Sequence, residues 1–417
     1  MISRRALSLG AASLALTPYM SHAKSRDISR DDDAKIMAMH RKLLTFDAEM
    51  DIPADFMSPD KDFGKDTGSR MQIDLPKMDR GGLDGCAFVV FVNQEKRNAE
   101  TYATARRDAE AKLVAIEKML KTYPDKIELA RKAEDVERIV RRGRHFALIS
   151  IVNAFPLGED LKWLPELHRR GLRMMGFTHA GHNQFADSSR PQEKFGDGAA
   201  EHNGLSALGK KAVAAMNRAG IIVDVSQLTP AGVMQVTKLS KAPVVASHSA
   251  VRKLVDASRN LTDEEMLAIK GTGGVVHIVA FAGYLKARSK EQIADLTKMN
   301  GDFGLKMFDD AAKVLPADKL PAYNAAFAEY LKTYPPADVG NMADAIDYAV
   351  KLIGIDHVGI ATDMEHGGGI VGYKDAGEAF GITRELARRG YSEKELRKIW
   401  SGNFLRVWRA VERLARA

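Results

Sequence analysis

Cysteine is almost absent. Cys86 stands alone in 417 residues, so no disulfide can form within the chain and no cysteine-based metal cluster can be assembled. Beyond the first twenty residues no apolar run is long enough to span a bilayer. No glycine-rich phosphate loop follows an early strand, and neither a short repeat nor a low-complexity tract is present. Proline is sparse at 14 residues, and a charged fraction of 28% beside 45% hydrophobic residues argues against extensive disorder. The formal charge of +7 is not one-sided in distribution: the basic residues lie along helical segments among many acids, the pattern of solvated faces, so nucleic acid is not expected as a partner.

What is present begins with Met1-Ile2-Ser3-Arg4-Arg5-Ala6-Leu7, a short apolar run to Tyr19, and Ser21-His22-Ala23. A basic start, a short apolar segment and small residues near Ala23 describe an export signal over residues 1–23, cleaved after Ala23. The arginine pair favours the twin-arginine export machinery, with an ordinary secretory signal as the alternative. The expected location is the periplasm, or the membrane surface if the signal stays attached. Residues 24–417 are then one unit, long enough for a large α/β domain.

Eight short apolar segments, mostly separated by helical ones, read as strands: 42–46 running into Asp47-Ala48-Glu49-Met50-Asp51, then 86–92, 146–152, 172–177, 221–225, 243–245, 274–279 and 357–362. The stretch from about Ala99 to Arg144 reads as two helices broken near Tyr123-Pro124, and 283–340 as a helical insertion before the last strand. The fold class is α/β, a single (β/α)8 TIM-type barrel, with a doubly wound open sheet as the alternative. In a barrel the carboxyl ends of the strands build the site. They bring Glu49, Asp51, Val152, Asn153, His179, His182, Gln227, His248, Asp363, Glu365 and His366 to one mouth.

Acids and imidazoles at one mouth suit a divalent metal and a metal-bound water. The plainer readings are that Asp51 caps a helix, that Asp224 and Asp363 satisfy backbone amides, and that His277 and His357 are packed in the core. Arg259 sits where it could fork onto a substrate carboxylate, a surface ion pair being the plainer fate of an arginine.

Several extended motifs appear in order: Ile73-Asp74-Leu75-Pro76-Lys77-Met78, Thr178-His179 through Ala186-Asp187-Ser188, Met216-Asn217-Arg218-Ala219-Gly220, Pro243 through Ser249, and Asp356-His357-Val358-Gly359-Ile360 onward to Gly367-Gly368-Gly369. In these the chain resembles the membrane dipeptidase (renal dipeptidase) family of metallopeptidases, in the amidohydrolase superfamily, from about Phe46 to Trp408. The resemblance implies hydrolysis of dipeptides by two zinc ions bridged by a glutamate, and a homodimer. Position by position it also implies departures. The family's His-x-Asp is here Glu49-Met50-Asp51, its Ser-x-Glu-Asn is Ser150-Ile151-Val152-Asn153, and Gln227 stands in place of a histidine. Asp51 and His248 are unchanged.

Val152 offers no lone pair and an amide is a poor zinc ligand, so the two-zinc centre is not expected. Glu49, Asp51 and His248 are the expected ligands of one zinc or other divalent ion, with Gln227 a weak fourth and His179 or Asp363 assisting. The resemblance further assigns His179 to the scissile carbonyl, Arg259 to the substrate carboxylate, and Asp363 to the free amine and the proton. Glu365-His366 departs from the family's usual Asp-Gly. The expected function is a periplasmic dipeptidase-family hydrolase of small peptides or amides with a mononuclear or altered site. The alternative is a metal-free member that binds or modifies a small exported peptide.

Overall fold

A computed structural model of the chain describes residues 30–306 and 311–416, so the segment read as an export signal lies outside the described residues. Among the described residues there are nine strands: β1 (Phe46–Asp51), β2 (Gly85–Val89), β3 (Ile127–Leu129), β4 (His145–Ile151), β5 (Leu172–Met175), β6 (Ile222–Val223), β7 (Val245–Ser249), β8 (Val275–Val279) and β9 (Val358–Ala361). All pairings between them are parallel, in the orders β1-β2-β4-β5-β6 and β7-β8-β9. Two seams join these arcs. At one, Asp224 bridges to Val245 and the Val225 amide donates to the Val245 carbonyl at 2.8 Å. At the other, Met364 bridges to Met50 and the Asp363 amide donates to the Glu49 carbonyl at 3.1 Å. Eight strands thus follow one another around a parallel (β/α)8 barrel, as the alternation of apolar runs and helices predicts.

The ninth strand corrects the sequence reading. β3 lies inside the stretch read as purely helical, between helices Ala99–Thr122 and Ala133–Arg141. It pairs with β4 only at His145 to Ala147, below the point where β5 takes over at Ile149. Three residues carry too little periodicity to separate from a helix end.

Local signals place the helices. Ser206 caps Ala207–Ala219, which stops at Gly220 in the left-handed region, φ 74°, where a side chain would be strained. Thr262 and Glu265 form a reciprocal capping box on Asp263–Gly271. The insertion is helical as expected, with Lys290–Asp302 and Leu320–Thr333 its longest pieces. The last helix, Asn403–Arg416, brings Phe404 and Trp408 against Phe46 and the other apolar side chains of the barrel interior. His277 belongs here: its Nδ1 lies 3.0 Å from the Ala246 carbonyl, and burial pushes its pKa down to about 4. His357 is likewise tied to a backbone carbonyl, that of Gly274.

Two irregularities in the strands decide what faces the mouth. Along β1, Asp47 opposes Cys86 and Met50 opposes Phe88, so Ala48 and Glu49 together face Ala87. Along β7, Ala246 opposes Val276 and Ser249 opposes Ile278, so Ser247 and His248 together face His277. Each extra residue shifts the alternation of faces and re-aims a side chain. Asp47, before the first irregularity, spans the seam instead: it accepts from the Thr362 amide at 3.0 Å, from the Thr362 hydroxyl and from the Glu49 amide.

Asp47→Ala should therefore destabilise the fold by about 3 kcal/mol, because it leaves three buried donors without an acceptor; equilibrium denaturation measures this. Burial raises the Asp47 pKa from 3.8 to about 7. A carboxyl that holds its proton more tightly when folded loses its contribution as pH rises from its unfolded to its folded pKa. The wild type should lose stability over that window, and Asp47→Asn should flatten the decline.

Candidate functional site

The mouth is built by β1, β7 and β9 and the loops after β5 and β6. Glu49 is buried, and its Oε2 has no hydrogen-bond partner. Burial, followed by the nearby Asp363 charge, holds its pKa well above the ordinary range, which favours the protonated acid. His248 lies 3.7 Å away through Nδ1, but burial and then Arg259 hold the imidazole well below its ordinary pKa. The contact is therefore between two neutral groups and is not an ion pair.

A directional chain of hydrogen bonds fixes the rest. Arg190 Nη2 donates to His179 Nε2 and to Gln227 Oε1, each at 2.9 Å. Gln227 then donates through Nε2 to His248 Nε2 at 3.0 Å. With that nitrogen accepting, the His248 proton sits on Nδ1 and faces Ser247 Oγ at 2.7 Å, while Ser247 donates to Asp224 at 2.6 Å. His179 is the second neutral imidazole: burial and then the Arg190 charge lower its pKa far below the usual value.

Asp51 is held from two sides. Lys112, from the long helix Ala99–Thr122, donates to one oxygen at 2.6 Å, and His366 contacts the other through Nδ1 at 3.0 Å. Burial opposes the charge on His366, but the Asp51 bond and the Asp363 charge outweigh it and raise its pKa. Phe91 packs on both imidazoles, 4.5 Å from His179 and 4.6 Å from His366 by ring centroids. Asp363 is buried, and desolvation brings its pKa to about 7 against the pull of His366 and Arg259. Arg259, also buried, donates to the His248 carbonyl at 3.0 Å and lies 5.3 Å from the Tyr284 ring centre.

Three of the four non-glycine residues with positive φ are here: Gln227, Asp363 and Glu365. Such backbone is strained by of order 1–3 kcal/mol per residue and tends to persist at functional sites.

The structure brings together Glu49, Gln227, His248, His179, Asp51, Arg259 and Asp363, the residues expected at the mouth. His182 instead braces a loop, accepting from the Ser188 amide and contacting the Gly198 carbonyl. Asn153 is bonded to Phe155 and Asn183, and Glu365 accepts the Gln72 and Ile73 amides. Asp224 satisfies backbone amides, those of Ser226 and Ser247. Sequence reasoning missed Arg190, Lys112 and Phe91. The signal for Arg190 was the glutamine at 227, whose amide oxygen calls for a donor.

The donor set does not fit a metal ion. Asp51 has Lys112 and His366 on its two oxygens, the His248 Nε2 lone pair is taken by Gln227, and Val152 packs with Val89 and Phe91 in a small apolar cluster. Among the described residues no group of three or more His, Cys, Asp or Glu side chains is arranged to hold one. Of Glu49, Asp51 and His248, the set expected to hold a single ion, Asp51 and His248 have other hydrogen-bond partners in this structure.

Residues 33–417 match the family model described as membrane dipeptidase (Peptidase family M19). The crystal structure of the probable dipeptidase PvdM from Pseudomonas aeruginosa is similar with a TM-score of 0.82 and 38% identity, over 93% of this chain and 100% of that one. A metallo peptidase from Rhodobacter sphaeroides, liganded with a phosphinate mimic of the dipeptide L-Ala-D-Ala, shares the fold with a TM-score of 0.68 at 21% identity, over 88% and 99% of the two chains. Dipeptidase aclJ of Aspergillus oryzae is 28% identical over 353 residues, 83% of this chain and 71% of that protein. A divalent metal is thus what the relatives imply, and it is the point at which this chain's own donors differ.

The His366 imidazole should titrate above its ordinary value of 6.5, and Asp51→Asn should lower it, as read by NMR of the ring protons. The same bond should add stability that is complete below 6.5 and lost as pH rises through the folded pKa. His179 and His248 should stay neutral throughout.

Proposed function

The chain belongs to the membrane dipeptidase family, Peptidase family M19, and we propose that this member hydrolyses a small peptide-like amide with its own carboxyl groups in place of a two-metal centre. The observation that carries this reading is the Glu49–Asp363 pair across the β1–β9 seam. Burial favours the protonated form of Glu49, and Asp363 is poised at about 7. Two neighbouring acids with separated pKa values make a general acid and a general base.

In this mechanism Arg259 grips the substrate carboxylate, and its buried Nε and Nη1, which have no partner within the protein, supply the donors. Asp363 takes a proton from a water whose oxygen adds to the scissile carbonyl carbon. The tetrahedral oxyanion collapses, the C–N bond breaks, and Glu49 gives its proton to the leaving amine. The proton on Asp363 then returns to Glu49, leaving a carboxylic acid and an amine as products.

A cavity of about 570 Å³ lined by Phe91, Val92 and Lys112 among others meets the mouth where Lys112 holds Asp51 and Phe91 packs on His179, and we take a substrate of dipeptide size to enter from it. The dipeptide mimic bound by the Rhodobacter relative supports that size class. Metal-activated water, the route expected from the family, is set aside because its ligands are committed elsewhere. Export to the periplasm by the twin-arginine route is part of the proposal, supported by the Arg4-Arg5 pattern of the first residues. No helix among the described residues is long and apolar enough to cross a membrane.

Protein dialysed against a chelator should cleave members of a dipeptide library as fast as untreated protein. Turnover that vanishes on chelation and returns with zinc would defeat the proposal. Asp363→Asn should lower kcat by about a hundredfold or more and abolish an inflection near pH 7, above which the rate rises. Arg259→Ala should act mainly on KM.

A further inference from the structure

Two guanidinium groups share the mouth, and both carry buried protons that no atom among the described residues accepts. Arg190 spends both Nη2 protons on His179 and Gln227, and its Nε is buried without a partner. Arg259 is fixed through Nη2 to the His248 carbonyl, with Nε and Nη1 buried and unpartnered. Arg190 feels the charges of Arg259 and of Asp363. A buried donor left unmade costs about 1–3 kcal/mol, and more when it is charged. Two such cations at one mouth, each anchored through Nη2 yet with unpaired donors, form a place prepared for an anion.

Arg190 is not held by an acid. Its anchors are a neutral imidazole and an amide oxygen, so its charge is left for a ligand to meet. Gln227 is the element that makes this work. Its oxygen faces Arg190 and its nitrogen faces His248, which aligns a cation beside a residue expected to bind metal. A histidine at 227 would also have one acceptor and one donor, but on the fixed directions of a ring instead of the two arms of one amide.

We propose that Arg190 and Arg259 form a paired-guanidinium anion site, in which Arg259 takes the ligand's carboxylate and Arg190 is the resident cation for an adjacent tetrahedral oxyanion. The ligand class is a small molecule with a carboxylate next to a tetrahedral anionic centre. The hydrolase reading above enters only in identifying that centre with the reaction's intermediate. Arg190 then touches the reacting atoms, and Gln227 is a positioning residue that acts through it.

The test is calorimetric titration of the full chain, dialysed against a chelator, with a phosphinate mimic of alanyl-alanine and separately with alanine. The phosphinate supplies both anions and alanine only the carboxylate. Wild-type protein should bind the phosphinate equally well with and without chelator. Arg190→Ala should weaken phosphinate binding by about thirtyfold or more while leaving alanine binding unchanged, and Arg190→Lys should recover part of the loss. Gln227→Leu, which keeps the arginine but frees it, should weaken the phosphinate severalfold and raise the salt sensitivity of binding. Should Arg190→Ala not fold, as judged by circular dichroism, the lysine and Gln227 variants carry the test.

Phosphinate binding unchanged in the Arg190 and Gln227 variants would overturn the proposal. So would an equal loss of alanine binding in Arg190→Ala, or wild-type binding that requires added zinc. Absence of dipeptide turnover would overturn the hydrolase reading and leave these binding results to be read on their own.

Discussion

Both protons of Arg190 Nη2 are committed, one to His179 and one to Gln227, and the polarity of the whole mouth follows from that fork. Because the arginine can only donate, His179 Nε2 and Gln227 Oε1 must accept. The glutamine must then turn its nitrogen to His248, and His248 must carry its proton on the side of Ser247 and Asp224. One fixed cation therefore sets two tautomers and one amide orientation. It also sets what cannot enter. Two unit charges about 4 Å apart interact by ~4 kcal/mol at an effective dielectric of ~20, and a divalent ion beside a guanidinium would face roughly twice that in repulsion. With Lys112 already on Asp51, the balance of charge at the mouth is completed by side chains.

The backbone places these groups by breaking its own regularity. Glu49 and His248 each belong to a pair of residues opposing one on the neighbouring strand. Gln227, Asp363 and Glu365 hold positive φ without being glycine. Regular parallel strands would alternate faces strictly, sending Asp47 and Glu49 the same way. In fact Asp47 ties the seam through Thr362 while Glu49 meets the mouth. Structural and reactive carboxyls two residues apart are separated by one inserted residue.

The barrel was legible because its strands are short apolar runs divided by capped helices, a pattern with few alternative folds. Only β3 escaped, being three residues long. The location of the site was legible for the same reason, since strand ends determine it. The partners were not. Lys112 lies on a helix whose other lysines and glutamates face solvent, and nothing local distinguishes the one that turns inward to Asp51. Arg190 lies in a loop eleven residues beyond His179, and its role depends on β6 and β7 meeting at Gln227 and His248. Sequence spacing carries no information about contacts that cross the barrel.

Apart from Glu49, the departures from the family pattern are met by neighbours. Val152, where a bridging carboxylate is expected, completes an apolar wall with Val89 and Phe91, and Phe91 in turn packs on His179 and His366. Gln227 is answered by Arg190. His366, itself a departure, joins Lys112 in holding Asp51. A site that had merely lost its ligands would leave buried polar atoms unpaired at the vacated positions, each with an energetic penalty. Of the changed positions Glu49 alone keeps such an atom, its Oε2, and the other charged groups of the mouth with unpaired buried nitrogens are Arg190 and Arg259. A buried acid oxygen and guanidinium nitrogens left without partners are tolerable where a polar ligand completes them, and at the mouth they accompany Asp363, a carboxyl poised near neutrality.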